Sequence, residues 1–164
     1  MNWVTRHMKM SDMPSLLSWY NNEELHYTAN AKSFKPYTLD ELVTYWEEKL
    51  NRPNADYYLI LVDGKAAGRV SLKKKNEYVE YAILIGDESL YSKGLGTEIT
   101  KYFVDKVFAK HRAPSMVLEV RKDNGRAIRC YEKSGFTITK EFRENGIPMY
   151  EMKVEKSKIV NKCT

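Results

Sequence analysis

Tyr91-Ser92-Lys93-Gly94-Leu95-Gly96-Thr97 joins a strand-like run to a helix-like one through two glycines. The run before it, Tyr78-Val79-Glu80-Tyr81-Ala82-Ile83-Leu84-Ile85, is made largely of residues that favour strands. After it, Ile99, Tyr102, Phe103, Lys106, Val107 and Phe108 fall at the three-and-four spacing of an amphipathic helix. The first N–H groups of a helix lack internal partners, and the helix dipole places partial positive charge there. Strand, turn and helix start therefore make an anion site. Gly94 and Gly96 carry no Cβ, so a phosphate can approach their backbone. The competing reading is a plain structural turn. A P-loop needs G-x-x-x-x-G-K-[ST], which neither glycine begins, and a dinucleotide G-x-G-x-x-G needs glycine where Ile99 stands.

A chain of 164 residues, 43% hydrophobic and 30% charged, predicts one soluble globular domain, here residues 1–155 with a Lys-rich tail over 156–164. No stretch reaches the roughly 18 apolar residues of a membrane span, and the Met1–Arg6 start lacks the apolar region of a signal peptide. The two cysteines, Cys130 and Cys163, suit a reducing cytoplasm, and His7, His26 and His111 are too scattered for a metal site. Net charge is +5, unevenly spread. Residues 1–60 hold 6 Lys/Arg against 8 Asp/Glu, giving −2, and residues 61–164 hold 21 against 14, giving +7. The basic half suits a polyphosphate ligand, and the acidic part an amine. Lys73-Lys74-Lys75-Asn76 reads as a solvated turn; without interleaved aromatics it does not argue for nucleic acid.

The other elements fall into place around the central turn. Val4–Met10 is expected to form a first strand, and Asp12 to cap a helix over Met13–Asn22. Glu23–Tyr37 reads as irregular. Thr38 and Glu41 make a capping box for a helix whose buried stripe is Leu39, Leu42, Val43, Trp46 and Leu50. Tyr57–Val62 and Ala66–Leu72 flank the hairpin turn Asp63-Gly64, and Ser115–Val120 is a further strand. Asn124 caps a helix over Gly125–Ser134 with Gly135 beyond its end. Phe136–Phe142 and Met149–Val154 close the fold around Glu144-Asn145-Gly146. The predicted order is β-α-α-β-β-β-α-β-α-β-β.

Beside the Tyr91–Thr97 loop stands Asn124-Gly125-Arg126-Ala127-Ile128-Arg129-Cys130-Tyr131-Glu132-Lys133-Ser134-Gly135-Phe136. Together with the element order, these stretches resemble the GNAT superfamily of acetyl-CoA-dependent N-acetyltransferases. The Tyr91–Thr97 loop is similar to its [QR]-x-x-G-x-[GA] signature, with Tyr91 in place of Gln or Arg. The Asn124–Phe136 stretch is similar to N-x-x-A-x-x-x-Y-x-K-x-G-F, with every fixed position filled. The resemblance implies an α/β (α+β) fold: a single domain with a mixed, mostly antiparallel central sheet flanked by helices.

Acetyl-CoA is then the co-substrate, held by Ile83, Leu84, Ile85, Tyr91, Ser92, Lys93, Gly94, Leu95, Gly96, Thr97, Asn124, Arg126 and Ala127. The strand should splay at Ile83–Ile85 and pair with pantetheine. Lys101 and Arg129 add charge for the phosphates. Tyr131 matches the family's general acid for the CoA thiolate; the other reading is an ordinary buried aromatic. Glu80 stands 11 residues before Tyr91, where several members place the base for the amine; the other reading is a solvated strand end. Leu84 N–H is the implied oxyanion donor. Cys130 raises a ping-pong route through an acyl-cysteine, against a neutral core thiol about 100° around the helix from Tyr131.

The acceptor is expected among Glu23, Glu24, Tyr27 and Tyr37, carboxylates and aromatics suited to an amine. Leu16–Asn22 and Arg129–Lys133 look most like the RimJ/RimL-type branch, which includes N-terminal acetyltransferases and is related to aminoglycoside 6′-N-acetyltransferases. The latter carry an aspartate near the position of Ala82, which this chain lacks. Direct attack on acetyl-CoA in a ternary complex by a small-molecule or protein N-terminal amine is the leading expectation. An aminoglycoside acceptor and a non-catalytic CoA-sensing module stand beside it. Neither nucleic acid nor membrane is expected as a partner, and the chain should be a monomer or homodimer.

Overall fold

Seven strands form one sheet in the order β1-β2-β3-β4-β5-β7-β6, in a computed structural model that describes residues 2–156. They are β1 (Trp3–His7), β2 (Ala55–Val62), β3 (Lys65–Lys74), β4 (Val79–Ile85), β5 (Ser115–Arg121), β6 (Thr137–Glu144) and β7 (Ile147–Glu155). The helices are α1 (Met13–Tyr20), α2 (Glu23–Ala29), α3 (Leu39–Leu50), α4 (Leu95–Lys110) and α5 (Gly125–Lys133). All neighbouring strands are antiparallel except β4 and β5. The sheet is thus mixed and mostly antiparallel, as expected. The tail lies outside the described residues from position 157 onward.

Strand alternation divides the apolar side chains between two faces. Tyr58, Ile60, Val70, Leu72, Val79, Tyr81, Met116 and Leu118 pack with α4 on one face. Tyr57 and Leu59 pack with Leu16, Leu42 and Trp46 of α1 and α3 on the other. Two-residue turns at Asp63-Gly64 and Asn145-Gly146, with both residues of each at positive φ, hold the β2–β3 and β6–β7 hairpins in register.

Several local expectations change. Glu23–Tyr37 contains α2: Asn22 accepts from Leu25 N–H at 3.0 Å, and Glu23 and Glu24 favour the positive end. The helix hides only Leu25, so no apolar period announces it. The order therefore gains a third helix before β2. Asp12 does not cap α1. Its carboxylate takes two bonds from Arg6, at 2.8 and 2.9 Å, and one from Lys9 N–H at 2.8 Å. Strand β1 stops at His7, because a 3-10 turn at Met10–Asp12 intervenes. Lys73 and Lys74 continue β3 instead of turning. Tyr102 and Leu39 leave the predicted stripes for solvent, Tyr102 resting edge-on against Trp3.

Candidate active site

The β4–β5 ladder contains only Val79↔Met116 and Glu80↔Val117. Beyond it β4 pairs with β3 alone and β5 with β7 alone, so a slot opens between Tyr81–Ile85 and Leu118–Arg121. The expected splay is present and begins two residues before Ile83. Gly68 keeps β4 tight to β3: a Cβ there would run into the backbone of Leu84 and Ile85. On the open side the Ile85 carbonyl is already engaged, accepting from the Tyr91 hydroxyl at 3.0 Å.

Helix α4 begins where the slot ends. Gly94 sits at φ 81° as its N-cap and supplies no side-chain acceptor, leaving the first N–H groups for a ligand. Ser92, at φ 60°, is another left-handed residue in the same turn. Gly96 lets α5 approach, since a Cβ there would lie 3.3 Å from Cys130 Sγ. Arg126, exposed in the first turn of α5, places its guanidinium 3.6 Å from the centre of the Tyr91 ring. Tyr91 thus brings an arginine to the turn in place of being one. Lys93 is exposed beside it. Asn124 accepts from Ala127 N–H at 3.2 Å and donates to Thr28 O at 3.2 Å, so its amide is spent on capping α5 and holding the end of α2.

Tyr131 projects from α5 into the larger core, 8% exposed, with its ring beside Phe136. Burial, followed by the adjacent Cys130, holds its phenol well above the ordinary value, so it stays protonated. Glu80 is half-buried on the opposite face, at the last rung before the slot. Register places Glu119 of β5 and Glu151 of β7 on that same face. Glu119 is a candidate that the sequence reading does not single out. Partial burial, then Glu80, Glu144 and Glu151, push its carboxyl up, which is how a base is tuned. A signal for it exists: Leu118-Glu119-Val120 sets a charge between two core residues.

The expected acceptor residues divide. Glu23 and Glu24 are exposed at the start of α2. The Tyr27 hydroxyl accepts from Phe34 N–H. Tyr37 is tied by both backbone groups to the Asn21 side chain and lies against Tyr20. Arg121, Asn124 and Asn145 hold the carbonyls of Asn30, Thr28 and Ala31, fastening the α2 segment over the β5 end of the sheet. Trp19 packs onto Gly86, anchoring α1 at the end of β4.

The acetyltransferase (GNAT) domain family matches residues 4–137. The chain is a GNAT acetyltransferase. Its acetyl donor is acetyl-CoA, and the residues at the slot fit that molecule: free helix N–H groups and two cations for the phosphates, and an open strand edge for the arm. An aminoglycoside N(6′)-acetyltransferase of Klebsiella pneumoniae is 25% identical over 80% of this chain and 72% of its own length. A spermidine N(1)-acetyltransferase of Escherichia coli is 30% identical over 62% of the chain and 55% of its own length. The solved aminoglycoside acetyltransferase AAC(6′)-Ib, in complex with ribostamycin and coenzyme A, superposes with a TM-score of 0.86 at 20% identity, covering 100% and 99% of the two chains. That likeness confirms the fold. Among the described residues, no helix is long and apolar enough to cross a membrane.

Proposed function

We propose that this GNAT enzyme acetylates a primary amine of a small polycation by direct attack in a ternary complex. The observation that carries the reading is the trio Glu80, Glu119 and Glu151, on one face of the sheet where the β4–β5 ladder opens. A cation is drawn to such a mouth, and a carboxylate there takes the proton an amine must shed before it attacks. The relatives that act on spermidine and on aminoglycosides are consistent with an acceptor of this class.

The chemistry assigns one task to each group. Glu80, directly or through water, accepts the amine proton, with Glu119 beside it favouring a positively charged acceptor. An N–H on the open edge of β4 faces the charge that develops on the carbonyl oxygen; Leu84, whose carbonyl turns toward Gly68 of β3, leaves that task to its neighbours Ile83 and Ile85. Tyr131 donates its proton to the leaving thiolate. The burial that raises the phenol also raises a thiol in the same pocket, so the transfer stays accessible. The N-terminus of α4, Lys93 and Arg126 hold the phosphates. Cys130 contributes packing against Gly96. Ala82, exposed on the acceptor face, leaves the recognition of cations to the flanking glutamates.

Thiol release and product mass, measured over polyamines, aminoglycosides, amino acids and N-terminal peptides, test this. Turnover should be greatest on polycations. Glu80→Gln should cut kcat/KM by about 10²-fold and flatten the acid limb of its pH profile. Turnover confined to peptides would sink the acceptor class, and an unchanged profile would remove Glu80 as the base.

A further inference from the structure

Tyr91 stands where the family signature carries glutamine or arginine, and its side chain is pinned at both ends. Its backbone N–H bonds Glu88 O at 3.1 Å, closing a 3-10 turn over Glu88–Leu90. Asp87 braces that turn, accepting from Ser89 N–H at 3.0 Å and from the Ser89 hydroxyl at 2.7 Å. The Tyr91 hydroxyl donates to Ile85 O at 3.0 Å, on the open edge of β4. Burial holds the phenol above its ordinary value, so the proton for that bond is kept. A fixed backbone at one end and a bonded hydroxyl at the other set the plane of the ring.

Arg126 lies on the face of that ring. Its guanidinium carbon is 3.6 Å from the ring centre, whereas every other cation–ring approach among the described residues is 4.5 Å or longer. The shorter distance is van der Waals contact, the separation of a stack. Stacking covers one face of a guanidinium and leaves its N–H donors pointing outward in plane. Arg126 is exposed and has no carboxylate partner among the described residues. An arginine free in solvent loses rotamer freedom when it binds an anion; the stack removes part of that loss beforehand.

We infer that Tyr91 is a positioning residue for the choice of donor: it holds Arg126 with its N–H groups toward the phosphates of acetyl-CoA. The enzyme then favours a thioester that carries phosphates over one that ends at the pantetheine arm. A glutamine or arginine at this position presents its own polar atoms to the turn. Tyrosine brings no cation and acts through a neighbour on α5. Because the same side chain engages Ile85 O, the phosphate end and the arm end of the slot share one anchor. The inference rests on the reading of Arg126 as a phosphate ligand, and not on which amine is acetylated.

Calorimetric titration of the whole chain with CoA and with pantetheine, which has the same arm without phosphates, gives the test. The dissociation constant for pantetheine divided by that for CoA reads what the phosphate end contributes. Arg126→Gln should lower this ratio by about tenfold, the loss expected for charged hydrogen bonds. Tyr91→Leu should lower it by about three- to tenfold while Arg126 is present, through the lost stack. Tyr91→Phe, which keeps the ring, should lie between Tyr91→Leu and wild type. In the Arg126→Gln background, Tyr91→Leu should change the ratio by less than about twofold, since two residues acting as a unit do not add. A ratio unmoved by Tyr91→Leu, an equal loss with and without Arg126, or a Tyr91→Phe loss as large as that of Tyr91→Leu overturns the proposal and leaves Arg126 on the phosphates. An Arg126→Gln ratio equal to wild type removes Arg126 from the phosphates, and the proposal falls with it.

Discussion

Tyr131 presents one phenol to both possible readings of its position, and its burial does not choose between them. Phenylalanine preserves the packing against Phe136 and deletes the proton. Tyr131→Phe is expected to lower kcat by about 10²-fold while leaving the KM for acetyl-CoA within about twofold, as steady-state thiol release would show. Unchanged kcat would reduce the residue to a core aromatic. Asp12 offers a prediction of stability. The Arg6 bonds, aided by Lys9 N–H, hold its carboxyl below the usual range, and its side chain is only 8% exposed. A depressed carboxyl stabilises the fold above its unfolded pKa of about 3.9, and that contribution is lost as pH falls through the folded value. Asp12→Asn should cost about 1–3 kcal/mol at neutral pH by urea unfolding, and the gap to wild type should narrow below about pH 4.

Among the elements, β3 and β4 are held together where the slot requires it. A side chain at Gly68 meets the Leu84 and Ile85 backbone, which cannot yield as the tip of a side chain would. Gly68→Ala should destabilise by about 1–3 kcal/mol and raise the KM for acetyl-CoA, since the displaced strand is the one that lines the slot. Loss of stability with an unaltered KM would separate this contact from the site. The start of α5 is legible in the sequence because its capping is local: Asn124 reaches Ala127, and Gly135 at φ 101° lets Phe136 N–H bond Tyr131 O in a Schellman turn. Helix α2 is not, although Asn22-Glu23-Glu24 is an N-terminal signature. Its stability comes from the side chains of Arg121, Asn124 and Asn145, which are distant in sequence.

At the scale of the molecule, the proposed donor site draws on both β4 and α5, so CoA should stabilise the whole fold. At about 100 times its dissociation constant, CoA should add about 2.7 kcal/mol and raise Tm by roughly 5–10 °C in a scanning melt. No shift would mean that the N-terminus of α4 does not hold the phosphates. The sequence by itself determined the family, the hairpin turns, the α4 and α5 starts and the glycines, because each rests on backbone rules that act over a few residues. Only the tertiary structure decided what meets across the sheet. The length of the β4–β5 ladder, the gathering of Glu80, Glu119 and Glu151 and the Tyr91–Arg126 stack all depend on strand register and helix packing. Those bring together residues whose separation along the chain carries no local signal.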